Sequence, residues 1–341
     1  MGESSLYRYT GTVCERQFFF LCVMVEGKEV KLMKQAIIDI GSNSIRLTVY
    51  EIRGNTFMIL FKEKFMAGLA GYVEDGVLSG EGLDRAREGL LEFRERLQCF
   101  SITAVSVIAT ASLRNIVNTE EAVRYLEQST GFEIEVIDGH DEALYGHCGA
   151  MLDLDMTSGA VLDIGGASTE LVVFNQDQIE EIFSFHFGSL SLYKNCVKKV
   201  MPGKGSAEKI LETVENEVSS HPGFTHDREE SLVSIGGTGR AVLKIATVLY
   251  NLPEGNRTVT DQQVNAICEL LLSRNKKAMH LILKLVPDRI HTIVPGILVL
   301  RYFMKLFQAK KLIVSNYGVR EGYLCQKLLK TALQSPCRTV N

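Results

Sequence analysis

Val161-Leu162-Asp163-Ile164-Gly165-Gly166-Ala167-Ser168-Thr169-Glu170-Leu171-Val172-Val173-Phe174 is the stretch whose reading decides the fold. An apolar strand ends on an acid, the backbone turns through two glycines, Ser-Thr-Glu follows, and a second apolar strand leaves. A hairpin of this composition exposes backbone N–H groups and hydroxyls in an anion-binding concavity, while Asp163 and Glu170 are suited to a divalent metal or a water. The pattern occurs earlier as well. Ile38-Asp39-Ile40-Gly41-Ser42-Asn43-Ser44-Ile45-Arg46-Leu47-Thr48-Val49-Tyr50 aligns with it at a constant offset, pairing Asp39 with Asp163, Gly41 with Gly165, Ser44 with Ser168 and Leu47 with Leu171. Two distant copies of a phosphate hairpin imply an internal duplication: two similar domains that face each other across a cleft with a phosphorylated ligand between them.

Composition sets the bounds. The 341 residues suit two domains, and a hydrophobic share of 46% is that of a globular chain. A net charge of −4 argues against wholesale nucleic-acid binding and leaves any polyanion site to local basic clusters. The 8 cysteines include no C-x-x-C pair, which reads as reduced thiols in a cytoplasmic protein rather than a structural zinc site. Phe18 to Val25 is apolar but far short of the roughly 20 residues that span a bilayer, and it lacks a small-residue cleavage site. Neither a membrane helix nor a signal peptide is expected there. The first strand begins directly after Met33, so residues 1–32 read as an extension or an upstream start that is not the natural one. Residues 33–155 and 156–330 are the expected domains, with the closing helix able to pack back on the first, and 331–341 a tail.

Strands alternate with helices along the chain, which defines an α/β architecture. Gln35 to Asp39, Leu47 to Ile52 and Thr56 to Phe61 read as a meander turning at Gly54-Asn55. Gly68 to Gly76 reads as loop. Ser79 is placed to cap a helix to about Gln98, and Asn118 with Glu121 to form a capping box for a helix to Thr130. Ala104 to Ala109 is a strand that ends in Thr110-Ala-Ser-Leu-Arg114-Asn115, a turn with a cation at its end. Asp138-Gly139-His140-Asp141-Glu142 gathers acids at a strand-to-helix transition, where layered α/β folds open into a crevice. His140, Asp141, Glu142 and His147 lack zinc spacing, and both histidines are expected to be partly exposed or in polar networks. Lys194, Lys198, Lys199 and Lys204 form a cluster that is either a solvated face or a lane for a polyanionic tail. Gly236-Gly237-Thr238-Gly239-Arg240 is a third glycine turn from which a helix departs with its N-terminus toward a ligand. Arg46 and Arg240 are further cation candidates.

With DIGSNSIRL, ATASLRN, GHDEA, DIGGASTEL, SIGGTGR and the segments Arg289 to Leu300 and Val314 to Gly322 in order, the chain resembles the exopolyphosphatase / guanosine pentaphosphate phosphohydrolase (Ppx/GppA) family. The resemblance covers roughly Met33 to Leu329. It implies two ribonuclease-H-like, actin-like ATPase domains facing across an interdomain cleft, in the short form that lacks an appended helical domain. Carried onto matching positions, it makes Glu142 the general base for the attacking water and Arg114 the neutraliser of the transferred phosphoryl group. Asp39, Asp163 and Glu170 would supply contacts to Mg²⁺ or Mn²⁺. Ser42, Asn43, Ser44, Gly165, Gly166 and Ser168 would hold phosphate from the hairpins, and Gly236, Gly237 and Thr238 from the third turn. Terminal phosphate would be released from inorganic polyphosphate, or guanosine pentaphosphate converted to the tetraphosphate, in a homodimer with neither a nucleic-acid nor a membrane partner. An actin-like small-molecule kinase and a non-catalytic nucleotide- or polyphosphate-binding regulator are the alternatives. One departure stands out: relatives often carry a third glycine where this chain has Ala167, and a position that needed φ > 0 would strain an alanine.

Overall fold

A computed structural model describes residues 33–221 and 229–329; the expected extension 1–32 and tail 331–341 lie outside the described residues. The first sheet grows from β1 (Met33–Ile40), whose Ala36, Ile37, Ile38 and Ile40 are fully buried, the unbroken apolar run of a central strand. The chain returns antiparallel as β2 (Ile45–Arg53) and again, through Gly54 at φ +59°, as β3 (Thr56–Phe65). β3 runs past the expected Phe61, and its alternating exposure is that of an edge strand. The Gly68–Gly76 stretch, expected as loop, contains a 3₁₀ turn at Leu69–Tyr72 and part of a small ribbon of β4 (Val73–Glu74) and β5 (Val77–Leu78).

Ser79 caps α1 (Gly80–Cys99) by accepting from the Gly82 N–H at 3.3 Å, and Leu83, Ala86, Leu90, Phe93 and Leu97 bury one face of it. After β6 (Val105–Ala109) come α2 (Ala111–Arg114), α3 (Thr119–Thr130) and β7 (Ile134–Val136). The capping box at Asn118 does not form. Its side-chain amide is engaged by Leu78 instead, accepting from that N–H and donating to that carbonyl, each at 3.0 Å. The sheet order is β3-β2-β1-β6-β7, with β6 and β7 parallel to β1.

α4 (Gly139–Met151), capped by Asp138, leads to the second sheet. There β8 (Gly159–Ile164), β9 (Thr169–Asn175) and β10 (Gln178–Phe185) repeat the meander. α5 (Ser189–Cys196) and α6 (Lys204–Ser220) precede β11 (Ser231–Ile235), which lies parallel to β8. α7 (Gly236–Tyr250), β12 (Thr258–Thr260), α8 (Asp261–Leu272), α9 (Lys276–Leu285) and α10 (Ile293–Leu306) follow, then β13 (Lys311–Val314) and α11 (Val319–Tyr323). The order is β10-β9-β8-β11-β13-β12. Its first five strands reproduce the first sheet, so the duplication seen in the hairpins extends to the topology.

Each sheet has its own large core. Two smaller cores link them: Tyr323 and Leu324 pack with Ile37, Tyr50 and Ile108 of the first sheet, and Ala143 and Ala150 of α4 pack with Val161, Val172 and Val233 of the second. α4 and α11 cross with backbone on backbone. A Cβ on Gly149 would stand 2.0 Å from the Gly318 carbonyl oxygen, and one on Gly322 1.8 Å from that of Tyr145, so any side chain there would push the helices and their sheets apart. His147, expected to be partly exposed or in a polar network, is buried with its ring centroid 4.8 Å from that of Phe174. No helix among the described residues is long and apolar enough to cross a membrane.

Candidate active site

The two hairpins are built alike. The Gly41 N–H donates to the Ser44 carbonyl at 3.2 Å, and the Gly165 N–H to the Ser168 carbonyl at 3.0 Å. They meet tip to tip: a Cβ on Gly166 would lie 3.0 Å from Ser42 Cβ and 3.3 Å from the Asn43 nitrogen. Between them is a cleft of about 100 Å³. Asp39, Ser42, Asn43 and Ser44 line it from one hairpin, and Asp163, Gly165, Gly166 and Ser168 from the other. Glu142 enters from the first turn of α4, and Gly236 and Gly237 from the start of α7.

The glycines of the third turn are needed for close approach. Gly236 has φ +75°, and a Cβ on it would stand 2.3 Å from Asp163 Oδ1; one on Gly237 would stand 1.8 Å from Arg289 Nη2. Thr238, expected to bind phosphate, turns its side chain away from the cleft. It is 1% exposed, and its hydroxyl donates to the Ile164 carbonyl at 3.4 Å beneath the hairpin. Ala167 does not have positive φ, so the condition under which an alanine would be strained there is not met. The close approach belongs to Gly188, where a Cβ would stand 2.5 Å from the Gly166 carbonyl carbon.

Four arginines line the cleft: Arg46, Arg240, Arg289 and Arg320. Arg46 Nε donates to Ser44 Oγ at 3.2 Å, and Arg320 Nη1 to Thr48 Oγ1 at 3.0 Å. Burial, then the neighbouring guanidinium groups, pull Arg46 and Arg240 below the usual arginine value, Arg240 to about 10. Arg289 is likewise lowered to about 10 by burial and Arg46. Burial also works against Arg320, but Glu321, Tyr50, Asp39 and Asp163 outweigh it and raise the value. All four are cations near neutral pH, and a buried cleft that holds like charges together is a receptor for a strong anion. Arg289 and Arg320 were not expected as site residues. Each is the lone arginine of its motif segment, 289–300 and 314–322, and that was the available signal.

Behind Glu142 stands a second charge arrangement. Arg114, at the end of α2, donates through Nη1 to Glu142 Oε2 at 2.7 Å and to the Ile137 carbonyl at 3.1 Å, while its Nη2 is 3.5 Å from Glu170 Oε1. Ser184 Oγ donates to the same Glu170 oxygen at 3.2 Å. One guanidinium thus serves two carboxylates, and neither Arg114 nor Glu170 lines the cleft itself. Burial and the charge of Glu170 hold Glu142 well above the ordinary carboxylate value, against the pull of Arg114. Glu170 is pushed up to about 7 by burial and Asp163, and Asp163 is raised by burial against Arg46 and Arg240.

The acids expected to bind a metal, Asp39, Asp163 and Glu170, do not converge as a closed trio. Among the described residues only Asp138, His140 and Asp141 bring three such ligand atoms within 4.8 Å, at the solvent-facing start of α4. Mg²⁺ takes one or two carboxylates and fills its shell with water and phosphate oxygens, so a closed trio is not required. Asp39 and Asp163 in the cleft offer hard oxygens, and Glu170 Oε2 is buried with no hydrogen-bond partner. The donor set fits a small divalent cation.

Comparison with known proteins agrees with this geometry. A Haemophilus influenzae protein assigned as an exopolyphosphatase is 28% identical over 85% of this chain and 90% of its own length. The crystal structure of an exopolyphosphatase from Cytophaga hutchinsonii superposes with a TM-score of 0.77 at 21% identity, over 87% of this chain and 98% of that one, and shares the fold. The Aquifex aeolicus member of the Ppx/GppA family superposes with a TM-score of 0.70 at 26% identity, over 88% and 99%. The two halves repeat one sheet topology, and the chain shares the fold of these relatives. Residues 48–331 match the Ppx/GppA phosphatase family, and the chain belongs to that family.

Proposed function

We propose that this protein removes the terminal phosphate from inorganic polyphosphate by attack of a water that Glu142 aims and deprotonates. Membership of the family makes the chain a phosphoanhydride hydrolase of the exopolyphosphatase type. The observation that carries the finer reading is Glu142 itself: a buried carboxylate on the cleft wall, held by Arg114 at 2.7 Å, with its proton affinity raised. A base poised nearer neutral pH takes the proton of a water more readily than an ordinary carboxylate does. The water oxygen bonds to phosphorus, the bridging P–O bond breaks, the proton passes to Glu142, and the shortened chain leaves with the bridging oxygen.

Phosphoryl transfer needs positioning and positive charge more than covalent help. Ser42, Asn43, Ser44, Gly165, Gly166 and Ser168 grip the phosphates, and Arg46, Arg240, Arg289 and Arg320 offset their charge. Arg114 acts through Glu142 and Glu170, so it is a positioning residue rather than the direct partner of the phosphoryl group. Mg²⁺ or Mn²⁺ held by Asp39 and Asp163, with Glu170 beside them, would withdraw further charge from the anhydride oxygens.

A second reading, conversion of guanosine pentaphosphate to the tetraphosphate, is favoured by one feature. The cleft of about 100 Å³ has room for phosphate and none for a nucleoside, but a second cavity of about 590 Å³ shares Ser42 and Ala111 with it. Phosphate release from both substrates, measured side by side, separates the readings. Polyphosphate is expected to give the higher kcat/KM, and preference for the guanosine substrate would reverse the order. Turnover of neither, with any divalent metal, would overturn both.

A further inference from the structure

Two lysines of β3 extend the arginine cluster out of the cleft. The register sets Lys62 opposite Thr48 and Lys64 opposite Arg46, and residues directly opposite in an antiparallel pair share a face. Thr48 receives the Arg320 hydrogen bond, and Arg46 lines the cleft. Lys62 is exposed and forms no ion pair among the described residues. Burial of its stem, then Arg320, Arg240 and Arg46 against the opposing charge of Glu321, lower its proton affinity, which sets it beside the cleft cations. Lys64 is ion-paired with Asp288, the neighbour of Arg289, so one contact spans from the edge of the first sheet to the second half. The second cavity, which shares Ser42 and Ala111 with the cleft, differs: Glu74 and Asp75 line it along with Lys194.

We propose that the edge strand β3 is the track for the uncleaved part of a polyphosphate chain, which passes from the arginines over Lys62 and Lys64. This rests on the polyphosphate reading above. Asp288 holds Lys64 in the free protein and gives it up to a phosphate of the chain. A row of cations with few acids stabilises a long polyanion and does little for a short one, whose few phosphates are already held by the hairpins and arginines. The basic cluster Lys194 to Lys204 is then a solvated face.

The test is the ratio of kcat/KM on a long-chain polyphosphate to that on tripolyphosphate. In Lys62→Ala/Lys64→Ala the ratio falls about tenfold, and its salt dependence weakens. In Asp288→Asn, which frees Lys64, the ratio rises; in Lys198→Ala/Lys199→Ala it stays as in the wild type. An unchanged ratio in the β3 variant overturns the track, as does an equal fall in the Lys198/Lys199 variant. A fall in Asp288→Asn also overturns it, because the ion pair would then only hold the cleft closed. Binding of labelled long-chain polyphosphate to the same variants separates this inference from the proposed activity. Weakened binding by the β3 variant of a wild type that hydrolyses no polyphosphate would leave the track standing and remove the hydrolysis; undiminished binding would remove the track.

Discussion

The hairpins at Asp39–Arg46 and Asp163–Glu170 have the same backbone and opposite chemistry. In each, a glycine N–H closes the turn on a serine carbonyl, and a Cβ on that glycine would stand 3.0 Å from the carbonyl oxygen. The difference lies in the residue directly across from the aspartate. Asp39 is paired with Arg46, and Asp163 with Glu170. The first hairpin therefore adds a cation to the cleft. The second places a carboxylate behind it, where Glu170 shares Arg114 with Glu142. A duplication that keeps the backbone can divide the work of phosphoryl transfer between anion binding and water activation by changing one cross-strand position.

The comparison breaks most sharply at Arg46. Arg46→Met should lower kcat/KM for phosphate release by about 10²–10³, with the fold intact by circular dichroism, because it removes a preorganised buried cation. A smaller effect is expected across the other hairpin. Glu170→Gln removes the charge that raises Glu142 and leaves Arg114 to Glu142 alone, so activity drops about tenfold and the acid limb of the pH–rate profile moves to lower pH. A limb that moved upward would contradict this arrangement.

The same glutamate links to stability. Glu170 is raised from 4.5 to about 7 in the folded protein, so the folded state binds more protons than the unfolded one between those values. Its contribution is full below about pH 4.5 and is lost as pH rises through about 7. Without added metal, Glu170→Gln should therefore melt higher relative to wild type at pH 8 than at pH 5. The smallest effect is expected at the hairpin tip. Ala167→Gly relieves no strain, since the position lacks positive φ, and should cost about 0.5 kcal/mol through chain entropy, a slight fall in Tm. A rise in Tm would show that the alanine is strained after all.

What the sequence made legible was local. Hairpins, the Ser79 cap and the buried stripe of α1 follow from short-range spacing and appear in the structure as expected. Arg289 and Arg320 come from segments far from either hairpin and reach the cleft only through the order of strands and the crossing of α4 and α11, so their only sign in the sequence was to be the lone arginine of each motif segment. Thr238 and Arg114 are the reverse, named from the sequence yet absent from the cleft lining. Their residue types suit phosphate, but local helix geometry turns one beneath a hairpin and ties the other to two carboxylates. Asn118 shows the converse case, in which a plausible local cap lost to a tertiary partner at Leu78.

Whether Glu142 activates the attacking water is decided by the pH profile of phosphate release from polyphosphate by wild type and Glu142→Gln. The wild type should gain activity with rising pH along an acid limb that lies above the ordinary carboxylate range. The variant should lose about 10²–10⁴ in rate, and that limb should vanish from what remains. A Glu142→Gln protein as fast as wild type, or one that keeps the same limb, would show that another group activates the water.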